Sequence, residues 1–292
     1  RHTTDRTGDA GRIRQTCQLI MGNPKVSIII SVFGQLEHTR RCLDQLSETL
    51  AGKVDYEVIV IDDASRDGTV EFLKGLREPY RIILNKENRG FARNNNLGAR
   101  EARGEYLCLL NNDVFVRGDW LLPMLKVFRE REKVGLVGNV QRLSNSLRYD
   151  HMGVVFSPRG LPRHYGQGFL HRPFKGETRR WSAVTAACCV MEAAVFEQVG
   201  GFDEIFLNGC EDIDLCLRLA SRGYFNYVVH DSVVDHVKCA SEGRKTHNLR
   251  NTEYLLDRWG ESIRRDQALS DKPLYRRMLL FGLFTRPWTI FS

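Results

Sequence analysis

The chain has 292 residues, of which 42% are hydrophobic, so it is long enough and apolar enough to bury a core. Its 43 lysines and arginines outnumber its 36 acidic residues, which gives a formal net charge of +7. This composition excludes intrinsic disorder and fibrous repeats. The longest apolar runs, such as residues 278–284, are far shorter than the roughly 20 residues of a membrane-spanning helix. We therefore expect a soluble chain, or one bound to a surface.

The N-terminus and the cysteines favour a cytoplasmic location. Residues 1–14 are polar and charged and contain no apolar signal core, so we expect no secretion. The eight cysteines form no C-x-x-C pair and have no histidine partner at the spacing of a zinc site. Several, such as Cys108, lie in apolar stretches, and we interpret them as core residues in a reducing compartment.

Positive charge is concentrated in one segment, residues 159–180, where Glu177 is the only acidic side chain. Its cationic residues are Arg159, Arg163, Arg172, Lys175, Arg179 and Arg180. The cluster suggests an acidic or phosphate-bearing partner. Nucleic acid is not expected as that partner, because the aromatic residues of the segment have no stacking periodicity and no nucleic-acid motif is present.

The first half of the chain alternates short β-branched runs with amphipathic stretches, which is typical of a parallel sheet covered by helices. The pattern predicts strands over residues 26–31, 56–62, 81–84 and 106–110. It predicts helices over residues 37–50, 91–102 and 120–132, and another that begins near Asp67, whose carboxylate is expected to cap it.

The second half is less regular. After a predicted strand over residues 134–140, glycine and proline are frequent between residues 153 and 176, which predicts a loop-rich segment. Helical patterns return over residues 193–199, 211–221 and 249–259. A basic, aromatic tail ends the chain, and no internal repeat is visible.

Polar residues follow two of the predicted strands. Asp62 and Asp63 end the second strand, and Asn111, Asn112 and Asp113 end the fourth. Ligands of open parallel sheets bind at these carboxyl ends. No G-x-G-x-x-G follows the first strand and no G-x-x-x-x-G-K-[ST] occurs anywhere, which argues against a dinucleotide site or a P-loop.

Five ordered sequence blocks carry a family resemblance. They are VSIIIS at residues 26–31, IDDASRDGT at 61–69, NRGFA at 88–92, GEYLCLLNND at 104–113 and EDIDL at 211–215. With these blocks the chain resembles the family 2 glycosyltransferases over about residues 25–260, in particular the rhamnosyltransferase-like branch. The resemblance implies an α/β protein with the GT-A fold, a central mostly parallel sheet flanked by helices. It also implies that the protein transfers a sugar from a nucleotide-diphosphate donor to a hydroxyl with inversion.

The resemblance implies a divalent metal site. Asp113 occupies the last position of the family's D-x-D motif, His236 aligns with a histidine that can complete the metal shell, and Mg²⁺ or Mn²⁺ suits such ligands. Asn111 departs from a strict D-x-D, so we expect modest metal affinity that depends on the nucleotide. The alternatives are a polar turn that satisfies its own backbone groups and a histidine with a structural role.

The resemblance also implies a nucleotide site at the same edge. Asp63 matches the carboxylate that hydrogen-bonds the nucleobase, with Asp62 as the second candidate. The alternative for this pair is a turn that approaches a helix. The other nucleotide-binding candidates are Ser31 and Phe33 for the base, Arg89 and Arg93 for the phosphates, and Asn111 and Asn112.

A block of carboxylates at residues 211–214 lies at the start of a predicted helix, where the helix dipole favours their ionised form. Family resemblance assigns the general base to Asp212, whereas Glu211 and Asp214 are expected to orient the site, with Asp214 paired to Arg218. Trp181 is expected near the acceptor. The alternative is an acidic first turn that only stabilises its helix.

We predict a donor-binding half over residues 25–140 and an acceptor-binding half over residues 141–260, with an extension at 1–24 and a tail at 261–292. The expected donor is a UDP- or dTDP-sugar, and the expected acceptor is a saccharide or lipid-linked saccharide. The tail would lie on the inner face of a membrane or pack on the domain. The rival functions are a nucleotidyltransferase, which would normally carry a phosphate loop rich in glycine and lysine, and a non-catalytic module that binds sugar nucleotides.

Overall fold

A computed structural model describes residues 25–237 and 247–285 of the chain. The predicted extension at residues 1–24, Cys239 and the end of the predicted tail lie outside the described residues. The helices are α1 (Leu36–Leu50), α2 (Thr69–Lys74), α3 (Phe91–Glu101), α4 (Leu122–Glu130), α5 (Ala193–Gln198), α6 (Glu211–Ser221), α7 (Asn248–Ser262) and α8 (Ala268–Thr285). A π-helical turn, Ile263–Gln267, joins the last two.

The strands form one large sheet and one small one. They are β1 (Val26–Val32), β2 (Tyr56–Asp62), β3 (Tyr80–Leu84), β4 (Tyr106–Leu110), β5 (Val114–Phe115), β6 (Val134–Leu143), β7 (Tyr149–His151), β8 (Val154–Phe156), β9 (Pro162–His164), β10 (Thr178–Trp181), β11 (Cys188–Glu192) and β12 (Phe225–His236). The main path of the described large sheet has the order β10-β12-β6-β11-β4-β1-β2-β3. Along it only β10 and β11 run against the other strands.

The alternation of side chains along β1 explains why the sheet lies in the middle of the molecule. Ile28 and Ile30 point into one hydrophobic cluster, whereas Ile29 points into another on the opposite face. All three are completely buried because helices cover both faces. The predicted α/β architecture with a mostly parallel central sheet is therefore confirmed.

Residues 153–176 differ from the loop-rich prediction. β8 and β9 pair as a two-stranded hairpin, and Phe156, Tyr165 and Phe174 of this segment are buried in the core. Strands of three residues are too short to show periodicity, and their frequent glycines resemble those of loops. This segment is thus a packed part of the domain.

The predicted tail is helical and packs on this same segment. The carboxylate of Asp271 in α8 accepts hydrogen bonds from the Phe156 N–H and the Ser182 hydroxyl, both at 2.8 Å. The ring of Phe281 lies 4.9 Å from that of Phe169. The packing alternative for residues 261–281 is confirmed. Among the helices of the described ranges, none is both long and apolar enough to cross a bilayer.

The predicted cap at Asp67 is confirmed with a shift of two residues. The first helical residue of α2 is Thr69, and its N–H donates to the Asp67 carboxylate at 3.3 Å. The other carboxylate oxygen of Asp67 accepts from the Leu36 N–H at the start of α1. One side chain thereby holds the beginnings of two helices at the carboxyl edge of the sheet.

Candidate active site

The ends of β4 and β12 bring Asp113 and His236 together. β12 pairs with β5 so that His236 lies opposite Val114, the residue after Asp113. The Val237 N–H donates to the Asp113 carbonyl at 3.0 Å, which fixes the two chain segments to each other. The His236 Nε2 then lies 3.3 Å from the Asp113 Oδ1. Two residues that are 123 positions apart in the chain thus meet at one point.

The contact on the other side of the His236 ring fixes the ring against Asp113. The His236 Nδ1 lies 3.0 Å from the side-chain amide of Gln141, which orients the imidazole. The His236 Nε2 then faces the Asp113 carboxylate and has no other partner among the described residues. A ring nitrogen and a carboxylate oxygen at this distance are held together by a proton or a cation between them.

This donor set fits the expected metal. A neutral imidazole nitrogen and a carboxylate oxygen are both ligands of Mn²⁺, and a carboxylate is the usual protein ligand of Mg²⁺. Within residues 25–237 and 247–285 no group of three or more histidine, cysteine, aspartate or glutamate side chains could hold a metal ion. Asp113 and His236 would therefore supply two protein ligands and leave the other positions to donor phosphates and water.

Asn111 and Asn112 build the turn that presents Asp113. The Asn111 N–H donates to the Ala187 carbonyl at 2.9 Å, and its own carbonyl accepts from the Val114 N–H at 3.1 Å. The Asn112 amide donates to the Thr39 hydroxyl of α1 at 3.0 Å. The polar-turn alternative thus describes the backbone here correctly, and it leaves the Asp113 carboxylate facing His236.

The same short segment that anchors Asn111 also holds Asp212. The Ala186 N–H donates to the Asp212 Oδ2 at 3.1 Å, one residue before the Ala187 carbonyl that receives the Asn111 N–H. The turn that carries Asp113 and the start of α6 are therefore joined through two consecutive residues. The two segments that carry the predicted carboxylates are therefore neighbours in the fold, and a shared cleft between the carboxylates stays a prediction.

The three carboxylates at the start of α6 have different surroundings. Asp214 is completely buried and accepts from Arg218 at 2.7 Å and from Arg258 and Trp259 at 2.9 Å each, so its predicted pairing with Arg218 is confirmed. Glu211 is also buried, and it accepts from the Gly209 N–H. Only Asp212 is partly exposed. Of the three, it is the carboxylate that a hydroxyl from outside can reach.

Asp62 and Asp63 are both buried and serve different neighbours. The Asp63 oxygens accept from the Asn85 amide at 3.1 Å, the Arg89 N–H at 2.7 Å and the Gly90 N–H at 3.0 Å. Asp63 thereby shapes the loop before α3. Asp62 accepts from the Ser65 N–H with one oxygen, and its Oδ1 has no hydrogen-bond partner among the described residues.

The other predicted nucleotide-binding residues lie at the end of β1 and around the start of α3. The Ser31 hydroxyl accepts from the Asn94 amide at 2.9 Å. Phe33, at the end of β1, leaves 56% of its surface exposed, which is unusual for an aromatic ring beside a sheet. Arg89 is exposed, and Arg93 forms an ion pair with Glu204 at 3.3 Å.

Trp181, predicted near the acceptor, lies inside the core. Only 5% of its surface is exposed, and its ring packs against those of Tyr165, Phe174 and His230. A Cβ added to Gly153 would lie 2.1 Å from the indole, so the chain also covers it closely there. Trp181 therefore has little surface left to offer an acceptor.

The basic segment is used in part by the protein itself. Arg172 donates to the His230 carbonyl, Arg179 lies 3.9 Å above the Phe174 ring, and Arg180 lies 3.5 Å above the Phe225 ring. Such stacking fixes the stems of these arginines and still leaves their charge in place. The acidic acceptor stays a prediction.

Burial agrees with a core role for the described cysteines. Five are buried and Cys210 is half-buried, and none is in a disulfide. Desolvation raises the pKa of each of these thiols, that of Cys210 to about 12, so they stay protonated and unreactive.

Sequence reasoning missed Gln141, Asn208 and Asn251. Gln141 orients His236. Asn208 accepts the Phe91 N–H at the start of α3, and Asn251 binds the backbone of Leu207. The signal for Gln141 was a polar residue within an apolar strand pattern, whereas the two asparagines lie in polar stretches that gave no signal.

A cavity of about 1010 Å³ lies elsewhere, between α3, α5 and residues 199–204. None of the candidate site residues lines it. Arg218, which does line it, is already paired with Asp214. The cavity therefore adds nothing to the candidate site.

Comparison with known protein families decides the identity of the domain. The profile of the family described as "Glycosyl transferase family 2" matches residues 27–199, which is more than half of the chain. The chain belongs to glycosyl transferase family 2. The matched range contains the Asn111-Asn112-Asp113 turn and ends before Asp212 and His236.

Curated relatives agree with this membership. The chain is 32% identical over 244 residues to the O-antigen biosynthesis protein RfbC of Myxococcus xanthus, covering 81% of this chain and 19% of that protein. It is 31% identical over 261 residues to the uncharacterized protein y4gI of Sinorhizobium fredii, covering 82% of this chain and 28% of that protein. The chain thus spans less than a third of the length of these two relatives.

Two solved structures show the fold. One is GalNAc-T7 with UDP, GalNAc and Mn²⁺, with a TM-score of 0.63, 17% identity and coverage of 80% of this chain and 48% of that one. The other is the mannosyltransferase PcManGT of Pyrobaculum calidifontis with GDP-Man and Mn²⁺, with a TM-score of 0.58, 20% identity and coverage of 86% and 70%. The glycosyl transferase family 2 domain described above has the predicted GT-A fold.

Proposed function

We propose that this domain transfers a hexosyl unit from a UDP- or dTDP-sugar to a hydroxyl of a saccharide or lipid-linked acceptor, with inversion. The observation that carries the proposal is that Asp113 faces His236 and that Ala186 and Ala187 tie the turn of Asp113 to Asp212. The Asn111-Asn112-Asp113 motif supports membership of the rhamnosyltransferase-like branch. O-antigen biosynthesis, named for one relative, is consistent with a saccharide acceptor.

Asp113 and His236 would hold a divalent ion, which when bound offsets the negative charge that develops on the leaving diphosphate. Since no group of three or more histidine, cysteine, aspartate or glutamate side chains in the described residues could hold the ion, we expect binding to require the nucleotide. At the base, the exposed ring of Phe33 offers a stacking surface beside Ser31 and the Asp62–Asp63 pair. The exposed Arg89 side chain can reach donor phosphates.

Asp212 performs the proton transfer in this mechanism. Its carboxylate accepts the proton of the acceptor hydroxyl while that oxygen forms a bond to the anomeric carbon. The bond from the anomeric carbon to the diphosphate oxygen breaks at the same time, and its electron pair leaves with the nucleotide diphosphate. One displacement from the side opposite the leaving group inverts the configuration. Asp214, fully paired, stays unreactive and holds α6 in place.

The exposed face of α8 supports a contact with the cytoplasmic face of an anionic membrane. Leu269 is 65% exposed and Leu280 is 60% exposed, and the exposed Lys272 and Arg276 lie on the same side of the helix. Apolar and cationic side chains on one helix face suit the boundary between anionic headgroups and acyl chains. Sedimentation with vesicles of phosphatidylglycerol and phosphatidylcholine tests this, and Leu280→Asp should abolish a binding that pure phosphatidylcholine does not support.

Nucleotide release tests the proposed transfer. Wild-type protein is incubated with Mn²⁺ and a panel of UDP- and dTDP-sugars, and the freed nucleotide diphosphate is measured beside Asp212→Asn. We expect release from at least one donor by the wild type and loss of that release in the variant. A non-catalytic binding module would raise the melting temperature with a donor but would release nothing, and this result would overturn the proposal.

A further inference from the structure

The backbone that leads into α6 is held in a strained shape. Asn208 and Cys210, two residues with side chains, have φ angles of +53° and +71° in the left-handed region. For a residue such as Cys210 this conformation costs on the order of 1 kcal/mol, and it persists only where surrounding contacts hold it. The two residues lie directly before Glu211 and Asp212. Contacts from neighbouring elements therefore hold this loop.

The buried side-chain amide of Asn251, in the first turn of α7, hydrogen-bonds the backbone at Leu207, directly before the loop. The Leu207 N–H donates to its Oδ1 at 3.3 Å, and its Nδ2 donates to the Leu207 carbonyl at 2.9 Å. Asn251 is completely buried, so water does not compete for these bonds. A Cβ added to Gly209 would lie 3.4 Å from the Asn251 Nδ2, which shows that α7 lies directly against the loop.

The other side of the loop faces the donor half of the domain. The Asn208 side chain accepts from the Phe91 N–H at 3.1 Å, at the start of α3. Beyond the loop, Trp259 of α7 donates to Asp214 at 2.9 Å. Helix α7 therefore holds the chain on both sides of Asp212, at Leu207 and at Asp214.

We propose that Asn251 is a positioning residue that, by holding the Leu207 backbone, keeps the strained loop 208–210 and hence Asp212 in the orientation needed for proton transfer. This inference rests on the proposed role of Asp212 as the base. A displacement of about 1 Å at a catalytic group can cost on the order of a hundredfold in rate. Loss of the two amide bonds should therefore lower kcat more than it changes the KM for the donor.

The test compares Asn251→Leu, which removes both hydrogen bonds at similar volume, with Leu255→Ala, which weakens the completely buried side of the same helix. We expect Asn251→Leu to lower kcat by about 10- to 100-fold with little change in donor KM. Leu255→Ala should lower the melting temperature but leave kcat of the folded protein near that of the wild type. Asn251→Ala also removes both hydrogen bonds without burying a charge, and it replaces Asn251→Leu if that variant fails to fold.

Hydrogen exchange gives a second readout that needs no turnover. Relative to amides of the central sheet, those of residues 207–213 should exchange faster in Asn251→Leu and in Asn251→Ala, whereas in Leu255→Ala this ratio should stay at its wild-type value. Unchanged exchange and kcat in the Asn251 variants would overturn the inference, as would equal losses of kcat in Leu255→Ala. If exchange changes as expected while Asp212→Asn still turns over, the loop is held as described, but the catalytic role of Asp212 and therefore of Asn251 is wrong.

Discussion

Two acidic pairs lie near the candidate site, Asp62–Asp63 after β2 and Asp212–Asp214 at the start of α6. In each pair one carboxylate is fully used by the protein. Asp63 receives three donors from the loop before α3, and Asp214 receives donors from two arginines and a tryptophan. Asp212 is partly exposed, whereas Asp62 is completely buried with an oxygen that lacks a partner among the described residues.

Neighbouring carboxylates in one motif can thus differ in burial and in the number of donors they accept, and we expect their roles to differ accordingly. A carboxylate saturated by donors is a structural part, and its loss should cost stability. A carboxylate with accessible lone pairs is available for chemistry, and its loss should cost activity. Substitutions that remove one charge at a time separate the two roles.

The largest expected effect is on turnover by Asp212→Asn. Loss of a general base lowers rates by about 10²- to 10⁴-fold, and we expect a loss of nucleotide release in this range. Asp212 accepts from the N–H groups of Ala186 and Ile213, and an asparagine oxygen can still accept one of them, so the free energy of unfolding should change by less than about 1 kcal/mol. Turnover close to that of the wild type would show that Asp212 is not the base.

For Asp214→Asn we expect the main effect to be a loss of stability. Removing the charge leaves the mostly buried Arg218 without its carboxylate partner, whereas Arg258 keeps its ion pair with Asp203 at 2.8 Å. Breaking the buried pair should cost about 3–5 kcal/mol of unfolding free energy, measured by urea denaturation. A variant as stable as the wild type would contradict the structural role given to Asp214.

A smaller difference in the free energy of unfolding is expected between Asp63→Asn and Asp62→Asn. The first replaces one of two oxygens that together accept three donors by an NH₂ group and should cost about 1–3 kcal/mol. The second disturbs one bond, to the Ser65 N–H, and should cost less. Urea denaturation of both isosteric variants measures the difference, and equal losses would mean that the loop contacts of Asp63 contribute nothing.

The pH dependence of stability is expected to reflect two buried groups outside the site, His230 and Asp271. Burial lowers the pKa of His230 from its ordinary 6.5 to about 4, so unfolding takes up a proton below pH 6.5. The free energy of unfolding that depends on His230 therefore decreases as the pH falls from 6.5 to 4. Burial raises the pKa of Asp271 from 3.8 to about 6, so its contribution is lost as the pH rises from 3.8 to 6. Each contributes up to about 1.4 kcal/mol per pH unit in its window, with opposite sign.

His230→Phe and Asp271→Asn separate these two contributions. Relative to the wild type, the histidine variant should gain stability as the pH is lowered from 6.5 to 4.5, and the aspartate variant should gain stability as the pH is raised over the same range. Urea denaturation at three pH values measures both slopes. Parallel profiles for all three proteins would contradict the assigned burial of these groups.

Much of the architecture was predictable from periodicity. β1, β2 and β4 are mostly apolar runs, and the helices α1 and α3 between them have apolar faces. The hairpin of β8 and β9 and the edge strand β10 were not predictable, because strands of three or four residues carry no usable period and are specified by tertiary contacts.

The candidate site was predictable in its residues but not in its arrangement. The motif blocks contain Asp113 and Asp212, and the family resemblance pointed to His236, although the roles of these residues stay predictions. Other features depend on contacts between segments far apart in the chain. They are the burial of Trp181, the hydrogen bonds of Asp63 to the loop before α3, and those of Asn251 to Leu207. A single sequence contains no signal for such pairings.

The most direct test of the account is calorimetric titration of UDP and dTDP into the wild type, Asp113→Asn and Asp212→Asn, with and without Mn²⁺. If Asp113 and His236 hold a metal that binds with the nucleotide, Mn²⁺ should raise nucleotide affinity at least about tenfold in the wild type and in Asp212→Asn. Asp113→Asn should lose that gain. An undiminished gain in Asp113→Asn would contradict the proposed metal site and the transfer chemistry built on it.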